Sequence, residues 1–141
     1  MKDERGSTLP LTIFYGLLGV ALVLLVVAAT SLYLERKRLF TLADGAALVG
    51  SEAFALEEVL ETERGYRPTL RSPDVAAAVS AYVRSVPTAD FTGLRVERAE
   101  SADGRSATVQ LSSHWHPPVL SLLVPEGLRI DVTAVARSVF T

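Results

Sequence analysis

The chain has 141 residues, with 14 basic and 16 acidic side chains, a net charge of −2 and no cysteine. That balance leaves no basic footprint for nucleic acid, and the missing cysteines exclude disulfides and thiolate chemistry. Once the apolar N-terminal run is set aside, the remainder is enough for one small domain and not for two.

Residues 1–8 form a charged, leader-like head, Lys2-Asp3-Glu4-Arg5-Gly6 among them, and from Leu9 to Leu34 no Asp, Glu, Lys or Arg occurs. This run exceeds the roughly 20 apolar residues that a helix needs to cross a hydrocarbon core of about 30 Å, which predicts a transmembrane helix over 9–34. A cleaved secretory signal is the rival reading, because Val27-Ala28-Ala29 before Thr30 supplies small residues for a peptidase. Its apolar region would exceed the usual length of about 7–15 residues, and the head carries as many acids as bases. Charge does not orient the span. Lys2, Arg5 and the α-amino group on one side balance Arg36, Lys37 and Arg38 on the other.

Beyond the basic cluster, Leu39, Leu42, Ala46, Val49, Ala53, Leu56 and Leu60 recur at alternating steps of three and four. The pattern is a heptad seam, and it predicts that the helix continues through 35–64, running unbroken from about Pro10 to about Thr62. Small residues recur along it, with Gly16 and Gly19 in the span and Ala46, Gly50 and Ala53 after it. Alanine is a good helix former and glycine is common in membrane helices. The same residues also make a surface on which a second helix can pack closely.

Gly65 and Pro68 stop the helix, and residues 65–141 form the domain. Ser72-Pro73-Asp74 reads as N-cap, first helical residue and first-turn acid, followed by an apolar stripe of Val75, Val79, Tyr82, Val83 and Val86. The period then changes to two. Leu94 and Val96 lead to a turn at Asp103-Gly104, then Ala107, Val109 and Leu111. A third strand carries Leu128, Ile130, Val132, Ala134 and Ala136 on one face, opposite Arg129, Asp131, Thr133 and Arg137. The expected fold is therefore α+β: a long N-terminal helix, transmembrane then amphipathic, a short second helix, and a small antiparallel sheet of about three strands with one face covered. Between the second and third strands, Trp115 to Val124 is an apolar crossover. It either packs under the sheet or exposes Trp115, Leu120, Leu122 and Leu123 as a contact surface for lipid or a partner.

Little in the chain points to catalysis. His114 and His116 fall on one face of an extended strand, but no third ligand stands nearby, and zinc requires three or four. There is no Gly-x-Ser-x-Gly elbow, no phosphate-binding Gly-rich loop and no dinucleotide fingerprint. Glu57, Glu58, Glu61 and Glu63 read as a solvated helix face. No enzymatic activity, cofactor, metal or small-molecule substrate is expected.

Two stretches resemble a known family. Asp3-Glu4-Arg5-Gly6-Ser7 before the span, and Arg38-Leu39-Phe40-Thr41-Leu42-Ala43-Asp44-Gly45-Ala46-Ala47-Leu48-Val49-Gly50 after it, are similar to the TadE/TadG-like proteins of bacterial tight-adherence (Flp) pilus systems. The resemblance implies a single-pass protein of the bacterial cell membrane, with its N-terminus in the cytoplasm and its C-terminal domain outside. It implies a minor pseudopilin or pilus-assembly protein whose partners are the membrane and other pilin-like or pilus-assembly proteins. In pilin-like relatives a prepilin peptidase cuts after a glycine preceding the helix, which here falls between Gly6 and Ser7. Those substrates usually carry Glu five residues after the cut, where this chain has Leu11. The alternative is an envelope binding module that recognises its partner through the Trp115–Val124 loop.

Overall fold

A computed structural model describes residues 8–54, 69–122 and 124–138. One helix, α1, runs from Thr8 to Ser51. Pro10 sits in its first turn, where a missing N–H costs nothing. The first half of α1 is a cylinder of exposed leucine, valine, isoleucine and aromatic side chains, and among the described residues α1 is long and apolar enough to cross a membrane. From Leu39 the environment changes. Leu39, Ala43, Ala46, Ala47, Gly50 and Ser51 are all buried.

The continuous heptad pattern predicts a helix to about Thr62, whereas α1 ends at Ser51. The Ser51 hydroxyl donates to the Leu48 carbonyl at 2.7 Å, a local bond that competes with the helical ladder. The last turn tightens to three-residue spacing, with the N–H of Glu52 and of Ala53 donating to the carbonyls of Val49 and Gly50. The seam positions Leu56 and Leu60, the acidic run and the Gly65 stop lie outside the described residues.

The second helix, α2, spans Ser72–Ser85 with Pro73 and Asp74 in its first turn. Arg71, not Ser72, occupies the N-cap, and it makes no capping bond through its side chain. Ser72 is used differently. Its hydroxyl donates to the Ser101 carbonyl and accepts from the Ser101 N–H, both at 3.1 Å, and so ties the start of α2 to the β1–β2 turn. The apolar stripe holds, with Val75 and Val79 fully buried.

Three strands, β1 (Thr92–Glu100), β2 (Ser106–Trp115) and β3 (Leu128–Arg137), form one antiparallel sheet in the order β1-β2-β3. Val96, Leu111 and Val132 stand in one row across the sheet, and Ala99, Val109 and Ala134 in another. A bulge between Val96 and Arg98 shifts the register of β1. At the β1–β2 turn Gly104 takes φ 69°, a backbone angle that costs a glycine nothing. The Trp115–Val124 segment, expected as a crossover, instead closes a hairpin, because β3 pairs directly with β2. Strand alternation shows which side chains share a face, but not which strand is the neighbour.

The core lies between one face of the sheet and the two helices. Leu39, Ala43, Ala46 and Ala47 of α1 and Val75 and Val79 of α2 meet Ala107, Val109 and Leu111 of β2 and Val132 and Ala134 of β3. The small side chains of α1 and β2 allow the close approach. A Cβ added at Gly50 would meet Ala107, Val75 and Val79 at 3.2, 3.2 and 3.3 Å. The helix that carries the apolar run is thus also a wall of the domain, with no linker between the two.

Candidate functional site

The packing of β2 antiparallel along α1 determines where the loop residues lie. Gly50 meets Ala107 at the far end of the domain, so β2 runs back along α1 toward the apolar run and delivers Trp115 to Ser31. The indole N–H donates to the Ser31 hydroxyl at 3.1 Å, and the ring is only 8% exposed. A buried tryptophan requires a partner for its N–H. A hydroxyl at the end of the apolar run provides one.

Past Trp115 the chain continues down the helix. Pro118 and Val119 line a shallow cleft with Ala21, Leu24, Leu25 and Ala28. Val119 has φ 73°, a left-handed conformation unusual for a β-branched residue. A short 3₁₀ turn follows at Leu120–Leu122. Leu122 points away from the protein at 91% exposure, and Val119 is 59% exposed. The loop is therefore divided: Trp115 and Pro117 are buried, while Val119 and Leu122 are open. The side chain of Leu120 and the whole of Leu123 lie outside the described residues.

The remaining residues singled out in the sequence are dispersed. A Cβ added at Gly16 or Gly19 would meet nothing within 4 Å beyond the helix's own backbone, so both positions are open on the bare part of α1. Ala46 and Gly50 are buried against this chain's own sheet and α2, and Ala53 is half-buried beside them. Gly6 and Ser7 lie outside the described residues. His114 stands opposite Arg129 and is half-buried, while His116 is exposed just beyond β2. Among the described residues no group of three or more His, Asp or Glu is placed to hold a metal ion.

The uncovered face of the sheet is polar. Arg129 lies 3.2 Å from Glu97 and 3.0 Å from Asp131, and Ser112 donates to Glu97 at 2.6 Å. The hydrogen bond to Asp131, then the charges of Asp131 and Glu97, hold the Arg129 guanidinium above its ordinary pKa. Such exposed pairs contribute little to stability. At the β1–β2 turn the backbone N–H groups of Arg105 and Ser106 donate to Asp103 at 2.9 and 2.7 Å. They lower its carboxyl to about 2, with help from the Ser106 hydroxyl.

Sequence patterning misses Ser31 and the Pro118–Val119 contact with the helix. The one available signal for Ser31 is the polar pair Thr30-Ser31 near the end of the apolar run. For Pro118 and Val119 there is none, because the contact depends on where β2 ends along α1.

Residues 6–55 match the sequence model of a family described as "Putative Flp pilus-assembly TadE/G-like". No curated protein and no solved structure matches the chain. The matched stretch contains the whole of α1 and the motif Arg38–Gly50, with Gly6 and Ser7 of the head motif, while Asp3, Glu4 and Arg5 precede it. It supports a place in Tad/Flp pilus assembly and an attachment to the membrane through α1. Nearly all of the sheet domain lies beyond it.

Proposed function

We propose that the chain is a membrane-anchored, pilin-like (minor pseudopilin) or pilus-assembly subunit of a Tad/Flp-type system, with its N-terminus in the cytoplasm and its α+β domain outside. The observation that carries this reading is the coincidence of the matched stretch, residues 6–55, with one helix whose first half is bare and apolar and whose second half is built into a domain. The role is structural rather than catalytic. The bare half offers Gly16 and Gly19 to neighbouring pilin-like helices, which can approach closely where side chains are small. Ala46 and Gly50 are engaged inside the domain and serve to fix it on the helix.

The intact mass of the protein extracted from native membranes tests this. Loss of Met1 to Gly6 assigns the chain to the subunits that enter a filament, despite Leu11 in place of the usual Glu. A full-length mass assigns it to the anchored assembly factors. A mass beginning at Thr30 would show a cleaved signal and overturn the reading.

A second reading, an envelope module that recognises a partner through Trp115–Val124, is favoured by the exposure of Val119 and Leu122. Trp115 itself faces Ser31 and is not offered to a partner.

A further inference from the structure

The depth at which the β2–β3 loop meets α1 has a consequence for the membrane. At about 1.5 Å per residue, a hydrocarbon core of about 30 Å takes up about 20 helical residues. However that window is placed within the uncharged run Leu9–Leu34, it contains Ala21, Leu24, Leu25 and Ala28. Those are the residues against which Pro118 and Val119 lie. A loop held there cannot stay in water while α1 spans the bilayer.

We infer that the β2–β3 loop, with Val119 and Leu122 at its tip, is inserted into the acyl-chain region of the outer leaflet and is a second membrane contact of this protein. The inference rests on the reading of α1 as a membrane span. The chemistry of the loop's tip fits the same occupant. No Asp, Glu, Lys or Arg occurs from Ser106 to Pro125, and the loop's acid, Glu126, stands beside the start of β3 and away from the tip. Pro117 and Pro118 have no N–H to leave unpaired in hydrocarbon. The N–H of Ser121 donates to the Pro117 carbonyl at 3.1 Å, and that of Gly127 to the Val124 carbonyl at 3.2 Å. Trp115 sits at the shoulder of the loop, the level at which tryptophan favours the membrane–water interface. Arg36, Lys37 and Arg38 stand one to two turns further along α1, in reach of lipid phosphates.

The chain has no cysteine, so single nitroxide labels can be placed through Leu122→Cys, Leu18→Cys and Ala102→Cys in the full-length protein. The labelled proteins are reconstituted in vesicles of phosphatidylcholine and phosphatidylglycerol. All three positions are exposed, and labelling leaves the core intact. The expected result is that the Leu122 label behaves like the Leu18 label, colliding with oxygen and losing collision with a water-soluble nickel chelate, while the Ala102 label, at the β1–β2 turn, collides freely with the chelate. Chelate access at Leu122 equal to that at Ala102, with Leu18 protected, overturns the inference and leaves the anchor standing. Chelate access at Leu18 as well removes the span and the inference together. A Leu122 label shielded from both reagents overturns the inference in favour of a protein occupant, such as a second copy of the chain.

Discussion

The two halves of α1 have similar means of packing but opposite surroundings. Both carry small residues, yet a Cβ added at Gly16 or Gly19 would meet open space, whereas one at Gly50 would run into α2 and β2. Helical periodicity alone cannot tell these situations apart, because a seam of small and apolar positions suits a partner chain and the chain's own sheet equally well. The difference arises further along the chain. The polar positions interleaved after Glu35 give the second half one dry side, and the strands from Thr92 onward provide the surface that covers it. The first half has no wet side, and outside the strip that Trp115, Pro118 and Val119 lie against it is bare.

The largest test of this contrast is at the shared core. Leu111→Ala should destabilise the domain by about 2–5 kcal/mol, since the side chain is fully buried under α1. Leu18→Ala, on the bare half, should leave the urea midpoint of the detergent-solubilised protein unchanged. A smaller effect comes from the glycines. Gly50→Ala forces a methyl group into three tight contacts and should cost about 1–3 kcal/mol, whereas Gly19→Ala should cost the domain nothing. Equal responses at the two glycines would break the contrast.

Smaller again is Ser72→Ala, which removes a donor and an acceptor to Ser101 and should cost about 1 kcal/mol, read as a lower melting temperature with the fold retained. The smallest effect is one of pH. The folded-state pKa of Asp103 lies at about 2, below the ordinary 3.8. Its contribution is therefore complete above about pH 4 and is lost as the pH falls toward 2. Asp103→Ala should flatten that part of the stability profile, as measured by thermal unfolding at a series of acid pH values, with the variant less stable than the parent at neutral pH and converging on it toward pH 2.

Much of this architecture was legible in the residues. The uncharged run identified the bare, apolar half of α1, the stripe Val75–Val79 identified α2, and alternation in β2 and β3 named the buried face of Ala107, Val109, Leu111, Val132 and Ala134. Three features were not. The end of α1 at Ser51, where the last turn tightens and the Ser51 hydroxyl bonds back to Leu48, falls within a heptad pattern that continues past it. The role of Ser72 depends on a turn distant in sequence. The depth of the β2–β3 loop depends on how far β2 runs along α1, a length fixed by packing and register rather than by any motif. The site was accordingly half visible: Trp115 and Leu122 stood out by type, but their opposite orientations could be assigned only once Ser31 was seen to face the indole.

The unbroken course of α1 also bears on mechanics. No proline interrupts it after Pro10, and among the described residues no loop separates the apolar half from the half that the sheet grips. The domain therefore has no hinge where it joins the apolar half of α1. A tilt of the apolar half swings the sheet with it, and a load applied to the sheet is transmitted as torque along the helix, so that the azimuth of the polar face carrying Arg129 and Glu97 is set by how the apolar half is seated.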